Sequence, residues 1–559
     1  LKERLAKGEK VFEGLLTKLL LDNGHRMAVE LAPDKTLGDK LAAAEEAELA
    51  SAKAAMSEEQ LAGVIAATAA LKAAQLKEDS PEDLATIPRV GLPDLEREVR
   101  TIPTDVFPLA GGATLLEHPL PTAGVVYADV LLDLSPLALH ELPLTNLFQR
   151  LLLETGTSTV PAVTLQRRIG ARTGGIAASI FSQQRVAADG AVSDPYDIVH
   201  YLAVRAKATT DKAPQMLELV ADVLAHAQLD SQAKVVEILK ETKSNLESSF
   251  LSSGNAYAGL RLSSRTSLLG YISEATSGVS YYHSLKDLLA TAQNDWPSLL
   301  GRLVAMREAV LSQKGLVINL TADPAVLAAA RTHVDSFVAS LPAEPTLQQP
   351  ATAWRDAVEL NPTVDEAYAI TTQVNYVAAG TRLFEPSSVV NMGAYGVVAR
   401  YLSRGYLWDN VRVVGGAYGG GCSLNPTSGA FAYSSYRDPN LQDTLDIYSD
   451  TPKLLSELEL TDEALEQAIV GAVGDLDGPL TPDQKGLRAL TWHLCGQTTA
   501  NRQLYRDQML STSRADFHNF GDVLAASKLK VAVFGSAEAI EKANNKRAAD
   551  EQMDVTKLS

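Results

Sequence analysis

Arg412 and Tyr418 stand six residues apart in the stretch LWDNVRVVGGAYGGGCSLNPTSGAFAYSSYRDPN, Leu407 to Asn440, with Gly415 and Gly416 between them. The chemistry such a pair offers is specific. A guanidinium fork binds carbonyl oxygens, and a phenol donates to an oxygen that gains negative charge as an amide is hydrolysed; the glycines leave backbone open beside both. The same two residues also admit a structural reading, with the arginine closing a helix end and the tyrosine packing on a sheet. Farther on, Ser434 to Asn440 reads as a strand end leading into a helix, with Asp438 or Asn440 available as a cap and Arg437 to pair with an acid. A structural turn is the better reading there.

Other chemistries find no support. The nine histidines (25, 118, 140, 200, 226, 283, 333, 493 and 518) never fall three to five apart, so no helix face presents two of them to a metal, and neither H-E-x-x-H nor H-x-x-E-H occurs. Glu117-His118 and His140-Glu141 are adjacent pairs whose side chains point to different faces of a helix or strand. The nucleophile-elbow and Walker patterns are absent as well. Glycines 415 to 421 suggest a phosphate loop, but they follow a helix and precede a strand, the reverse of the dinucleotide-binding order.

With 559 residues the chain is long enough for several domains. Its net charge of −18, from 50 basic and 68 acidic residues, argues against a nucleic-acid partner and suits cationic ligands. Two cysteines, Cys422 and Cys495, are too few for a disulfide framework or a cysteine zinc site, and favour a reducing compartment. No run approaches the roughly 18 apolar residues of a membrane span, so membrane insertion is not expected. Because the chain begins at Leu1, without methionine or a leader, the expectation is a removed targeting segment or a longer parent polypeptide.

The elements that position the pair follow from periodicity. A basic amphipathic helix (Lys2 to Leu21) and an extended run (Arg26 to Leu31) open the chain as the tail of a preceding domain, residues 1–35. An Ala/Glu/Lys/Leu-rich stretch then reads as a helical hairpin over 36–80, its second helix opened by Ser57 and Gln60 at capping-box spacing. Pro81, Pro88, Pro93 and Pro103 forbid a long helix and mark a boundary. In 81–341, strands at Val125 to Leu132, Ile176 to Phe181 and Ile198 to Lys207 precede clustered helices, a late strand (Gly315 to Leu320) and a helix opening at Asp323-Pro324. A Pro-rich linker, 342–350, leads to 351–559, where the order returns: a strand at Ala367 to Tyr376, a helix over 387–404, the glycine turn, a strand at Ala430 to Tyr436, helices, a late strand (Lys530 to Phe534) and a helix from Ser536. The fold class is α+β, with two homologous units, each a mainly antiparallel sheet with helices packed on it. In each, a helical stretch meets Gly-Gly and turns into a strand, LQRRIGARTGGIAASIF in the first and WDNVRVVGGAYGGGCSL in the second, and only the second carries the arginine and tyrosine.

The stretch from Leu407 on, with Thr372 to Val377, Ser273 to Tyr281, Leu152 to Thr157 and Thr173 to Gly175, resembles the C-terminal half of the presequence proteases, organellar pitrilysin-type zinc peptidases with an inverted zinc motif. The resemblance covers nearly all of the chain and implies four homologous α+β domains in two halves, joined by a helical hairpin and closing like a clamshell over a peptide chamber. It implies a zinc metalloendopeptidase that degrades cleaved targeting presequences and other short unfolded, basic peptides in the mitochondrial matrix or chloroplast stroma. Zinc and the water-activating glutamate are implied in the N-terminal half, a covalent or separate partner without which this chain is inactive. Onto this sequence the resemblance carries Arg412 and Tyr418 as catalytic and substrate-binding residues, with Gly415 and Gly416 beside the substrate; Asn410, where plant relatives commonly have arginine, is a departure that leaves both in place. The competing expectation is a non-catalytic, peptidase-like structural subunit of an organellar complex.

Overall fold

A computed structural model describes residues 1–34, 36–75, 77, 79–347, 354–360 and 364–558, grouped in two compact units, Leu1–Arg89 and Val90–Ser559. The expected 1–35 tail and 342–350 linker each end on residues outside that set.

In the first unit the expected helix over Lys2 to Leu21 is two, Lys2–Ala6 and Val11–Leu16, the latter running on into the wide turn Thr17–Leu21. Gly8, with φ +81°, makes the break. The expected extended run Arg26 to Leu31 forms no strand among the described residues. Arg26 instead folds back to donate to the carbonyls of Leu20 and Leu21 at 2.6 and 2.7 Å, which the helix end leaves without partners. Helices Leu37–Ala55 and Glu58–Gln75 follow. Between them the capping box forms as its spacing predicts: Ser57 N donates to Gln60 Oε1 at 2.8 Å and Gln60 N to Ser57 Oγ at 3.2 Å.

The second unit holds two six-stranded sheets. The first is built from β1 (Asp105–Pro108), β2 (Thr114–Pro119), β3 (Val125–Asp133), β4 (Ile176–Gln184), β5 (Ile198–Thr209) and β6 (Val317–Ala322), in the order β1-β2-β6-β3-β5-β4. The second contains β7 (Glu366–Ala369), β8 (Tyr376–Arg382), β9 (Gly419–Leu424), β10 (Ala430–Tyr436), β11 (Lys530–Gly535) and β12 (Asp554–Lys557), in the order β12-β7-β11-β8-β10-β9. The repeat is topological: β2∥β6, then antiparallel β3, β5 and β4, match β7∥β11, then antiparallel β8, β10 and β9. Only the outer strand differs, β1 being antiparallel to β2 and β12 parallel to β7.

One expected strand is corrected. Ala367 to Tyr376 is not continuous but supplies the end of β7 and the start of β8, because β11 lies between those two strands in the sheet. The chain must turn through 370–375 to leave room for it. Strands β1, β2 and β12 have no counterpart in the periodicity.

Each repeat lends helices to the other's sheet. Helix Gly254–Ser263 of the first packs against β8, β10 and β11 of the second, so that Tyr376, Ala378, Ala532 and Phe534 share one core with the first sheet. In return, helix Pro482–Cys495 lays Leu490, Leu494 and Cys495 on Leu116, Leu131 and Val317. This explains why β6 is buried at every residue, on both faces.

Candidate functional site

Between helix Met392–Arg404 and edge strand β9 the chain makes a wide helical turn, Trp408–Val414, of the π type. Its closure shows in the bonds: Gly415 N donates to Asn410 O at 2.9 Å, Ala417 N to Val411 O at 3.1 Å and Gly416 N to Arg412 O at 2.9 Å. Gly416 then reverses direction at φ +80°, where a side chain would be strained. Gly420 of β9 sits so close that a Cβ there would lie 2.7 Å from Val411 Cγ1. These two glycines are what the turn requires.

The turn places its arginine over an aromatic face. The Arg412 guanidinium carbon lies 4.0 Å from the centroid of the Trp408 ring, one turn back, and 5.9 Å from that of Tyr418. Tyr418 is anchored by its backbone N–H, which donates to Tyr436 O at 3.0 Å, while its side chain is 67% exposed. Its ring meets Tyr436 edge-on, with centroids 5.7 Å apart. Arg412 and Tyr418 therefore converge, together with Gly416 and Arg437, on a shallow, open depression of about 470 Å³. Gly415 stands behind it, its carbonyl accepting from Asn440 Nδ2 at 2.7 Å.

Arg437 departs from its expected role. Instead of pairing with an acid, it stands like Arg412 without an ion pair among the described residues. It adopts φ +49° and holds its guanidinium carbon 5.5 Å from the Tyr436 ring centroid, at the rim of the depression. Trp408, the platform under Arg412, is a further residue that sequence reasoning misses. Its signal is the four-residue spacing to Arg412, which puts two side chains on one helical face.

The expected caps are also reassigned. Helix Gln442–Glu457 has no side-chain cap. Asp438 is fully buried and accepts from Asn440 N at 2.9 Å and Thr444 Oγ1 at 2.8 Å. Burial pushes its carboxyl up, against those bonds. Asn440 clamps Gly415 rather than capping a helix. Asn375 backs the turn: its N–H donates to Asp438 O at 2.6 Å, and Asp438 N returns a bond at 2.8 Å. Tyr376 and Tyr436 then reach across to the helix Gln232–Ser252, donating to Leu251 O at 2.6 Å and Ser252 O at 3.2 Å. The frayed end of a first-repeat helix thus braces the site in the second.

A metal does not fit these residues. Among the described residues no group of three or more His, Cys, Asp or Glu is arranged to hold one.

The fold is that of the M16 peptidases. A solved structure described as the inactive domain of a peptidase M16 from Pseudomonas fluorescens superposes with a TM-score of 0.55 at 14% identity, covering 78% of this chain and 98% of that one. Residues 31–288 match the family model of the segment associated with M16 peptidases of subfamily C, and residues 365–535 the model "PreP C-terminal domain". Presequence protease 1, chloroplastic/mitochondrial, of Arabidopsis thaliana is 35% identical over 98% of this chain and 50% of its own length. The mitochondrial presequence protease of Xenopus laevis is 22% identical over 92% of this chain and 51% of its own. The chain belongs to the presequence-protease family of pitrilysin-type metallopeptidases. It spans about half the length of the curated relatives it matches.

Proposed function

We propose that this chain acts as the C-terminal half of a zinc metalloendopeptidase that degrades cleaved presequences and other short unfolded peptides, in the mitochondrial matrix or chloroplast stroma. The observation that carries the reading is the convergence of Arg412, unpaired and stacked on Trp408, with the exposed Tyr418 phenol on one depression. The guanidinium donates to peptide carbonyl oxygens beside the scissile bond. The phenol donates to the oxygen that gains charge when the amide carbon is attacked, and Gly416, without a side chain, lets the substrate backbone approach. Zinc and the base that activates water belong to the N-terminal half, the partner this chain needs.

The test is Tyr418→Phe in the enzyme containing both halves, assayed on a presequence peptide. A bond made mainly in the transition state predicts a fall in kcat of about 10²-fold with KM nearly unchanged. An unchanged kcat removes Tyr418 from the mechanism. The description of the Pseudomonas fluorescens relative as an inactive M16 domain favours a second reading, a non-catalytic structural subunit. That reading predicts no zinc-dependent hydrolysis when the chain is combined with its N-terminal half.

A further inference from the structure

Away from Arg412, a cavity of about 400 Å³ opens between the chain entering the first sheet, residues 99–103, and the second-repeat helices Pro482–Cys495 and Thr499–Leu510. Its wall is apolar, with Leu120, Leu476 and Trp492 turned to it. Leu476 is 40% exposed, an apolar surface left to water. The charge around it is one-sided. Arg100, Lys485, Arg488, Arg502 and Arg506 line the cavity against a single carboxylate, Asp477.

Two of the five cations are already neutralised. Arg506, fully buried, holds Asp477 in a fork at 2.8 and 2.8 Å, and Arg100 pairs with Glu96 at 3.0 Å. Among the described residues Lys485, Arg488 and Arg502 have no carboxylate partner. Arg502 lies flat on the Trp492 indole, its guanidinium carbon 3.6 Å from the ring centroid. It donates to Arg100 O and Thr499 Oγ1, each at 3.0 Å, while its Nε, buried, has no partner. Burial without a counter-charge also holds this guanidinium below its ordinary basicity. On a chain of net charge −18, three uncompensated cations around one apolar pocket need a reason.

We infer that this cavity is a binding site for a small organic anion with a planar apolar body, its carboxylate or like group held by Arg502, Arg488 and Lys485 and its body by Trp492, Leu476 and Leu120. The spacing suits that ligand. Lys485, Arg488 and Trp492 follow one another at i, i+3 and i+7 on one helix face, so cations stand at the rim and the ring lies deeper. The site is separate from the Arg412 depression and does not depend on the peptidase reading.

Calorimetric titration of the full chain with 1-naphthoate, and in parallel with the uncharged 1-naphthamide, tests it. Saturable binding of the carboxylate, at least tenfold tighter than the amide, is expected. Arg488→Gln, an exposed change that leaves the fold alone, should weaken naphthoate about tenfold, and Arg502→Lys, which keeps charge but loses the flat stack, by a similar factor. No saturable binding at millimolar naphthoate, equal binding of the amide, or unchanged affinity in both variants would overturn the assignment.

Discussion

At the scale of single residues, the chemistry of this chain is decided by what surrounds each ionisable group. His200 shows the effect most simply. It is buried in the first sheet, its Nδ1 within 2.6 Å of Ser182 Oγ, its Nε2 without a partner and Trp354 edge-on at 5.6 Å. Burial lowers its pKa from 6.5 to about 4. Between those values the unfolded chain binds a proton that the folded chain refuses, so stability is full above pH 6.5 and falls as pH drops toward 4. Going from pH 7.5 to 5 should cost about 2 kcal/mol from this group, read as a lower urea midpoint. His200→Gln should remove that part of the slope, and an unaltered slope would show that His200 does not titrate as its burial requires. The candidate site is legible in the sequence at the same scale only in part. Arg412, Tyr418 and the two glycines stand out by type and spacing, whereas Arg437 does not, because its role depends on φ +49° and a lack of acidic partners, and neither is visible in a string of residues.

At the scale of elements, the short-range signals are the dependable ones. The Ser57 and Gln60 box, the strand Ala430 to Tyr436 and the Ser536 start of the last helix are local matters of capping and period, and all form where expected. What escapes is set by distant partners. β11 intrudes between β7 and β8, and β12 is a four-residue strand whose residues are all exposed and which exists only by pairing with β7. The Ser273 to Tyr281 motif also acquires its reason here. Glu274, buried, accepts from Ser280 N at 3.0 Å and Arg261 Nη1 at 3.0 Å, and a Cβ at Gly278 would lie 1.8 Å from its Oε2. Arg261 continues to Glu366 of β7 through a fork at 2.9 and 2.8 Å, with Arg265 against the same carboxylate. Burial alone would raise Glu366, but these two arginines hold it down at about 2. Its contribution is present above pH 4.5 and lost as pH falls through 2. Glu366→Gln strands two largely buried guanidinium groups and should cost about 3 kcal/mol at pH 7, measured by urea unfolding. A loss below about 0.5 kcal/mol would show that the cluster does not hold helix and strand together.

At the scale of the whole Val90–Ser559 unit, the exchange of helices between repeats makes their folding a single event. Two glycines permit it. A Cβ on Gly254 would stand 2.3 Å from the Tyr376 ring, and one on Gly486 would stand 1.9 Å from Thr321 Oγ1 of β6. Gly254→Ala sets two effects in opposition. Alanine favours the helix by about 1 kcal/mol, whereas overpacking a tight contact costs about 1–3 kcal/mol. The ring cannot swing away, because its hydroxyl is tied to Leu251 O and its body is fully buried, so the clash should win by about 1–2 kcal/mol. Trp354, whose Nε1 donates to Leu137 O in the first repeat, and Trp408 beside the candidate site in the second report the two halves of the event separately. In variants keeping one or the other as sole tryptophan, both signals should change at one denaturant midpoint, and Gly254→Ala should move both midpoints equally. If only the Trp354 signal moved, the repeats would unfold independently, and the brace from Leu251 and Ser252 to Tyr376 and Tyr436 could not be what holds Tyr418 at its depression.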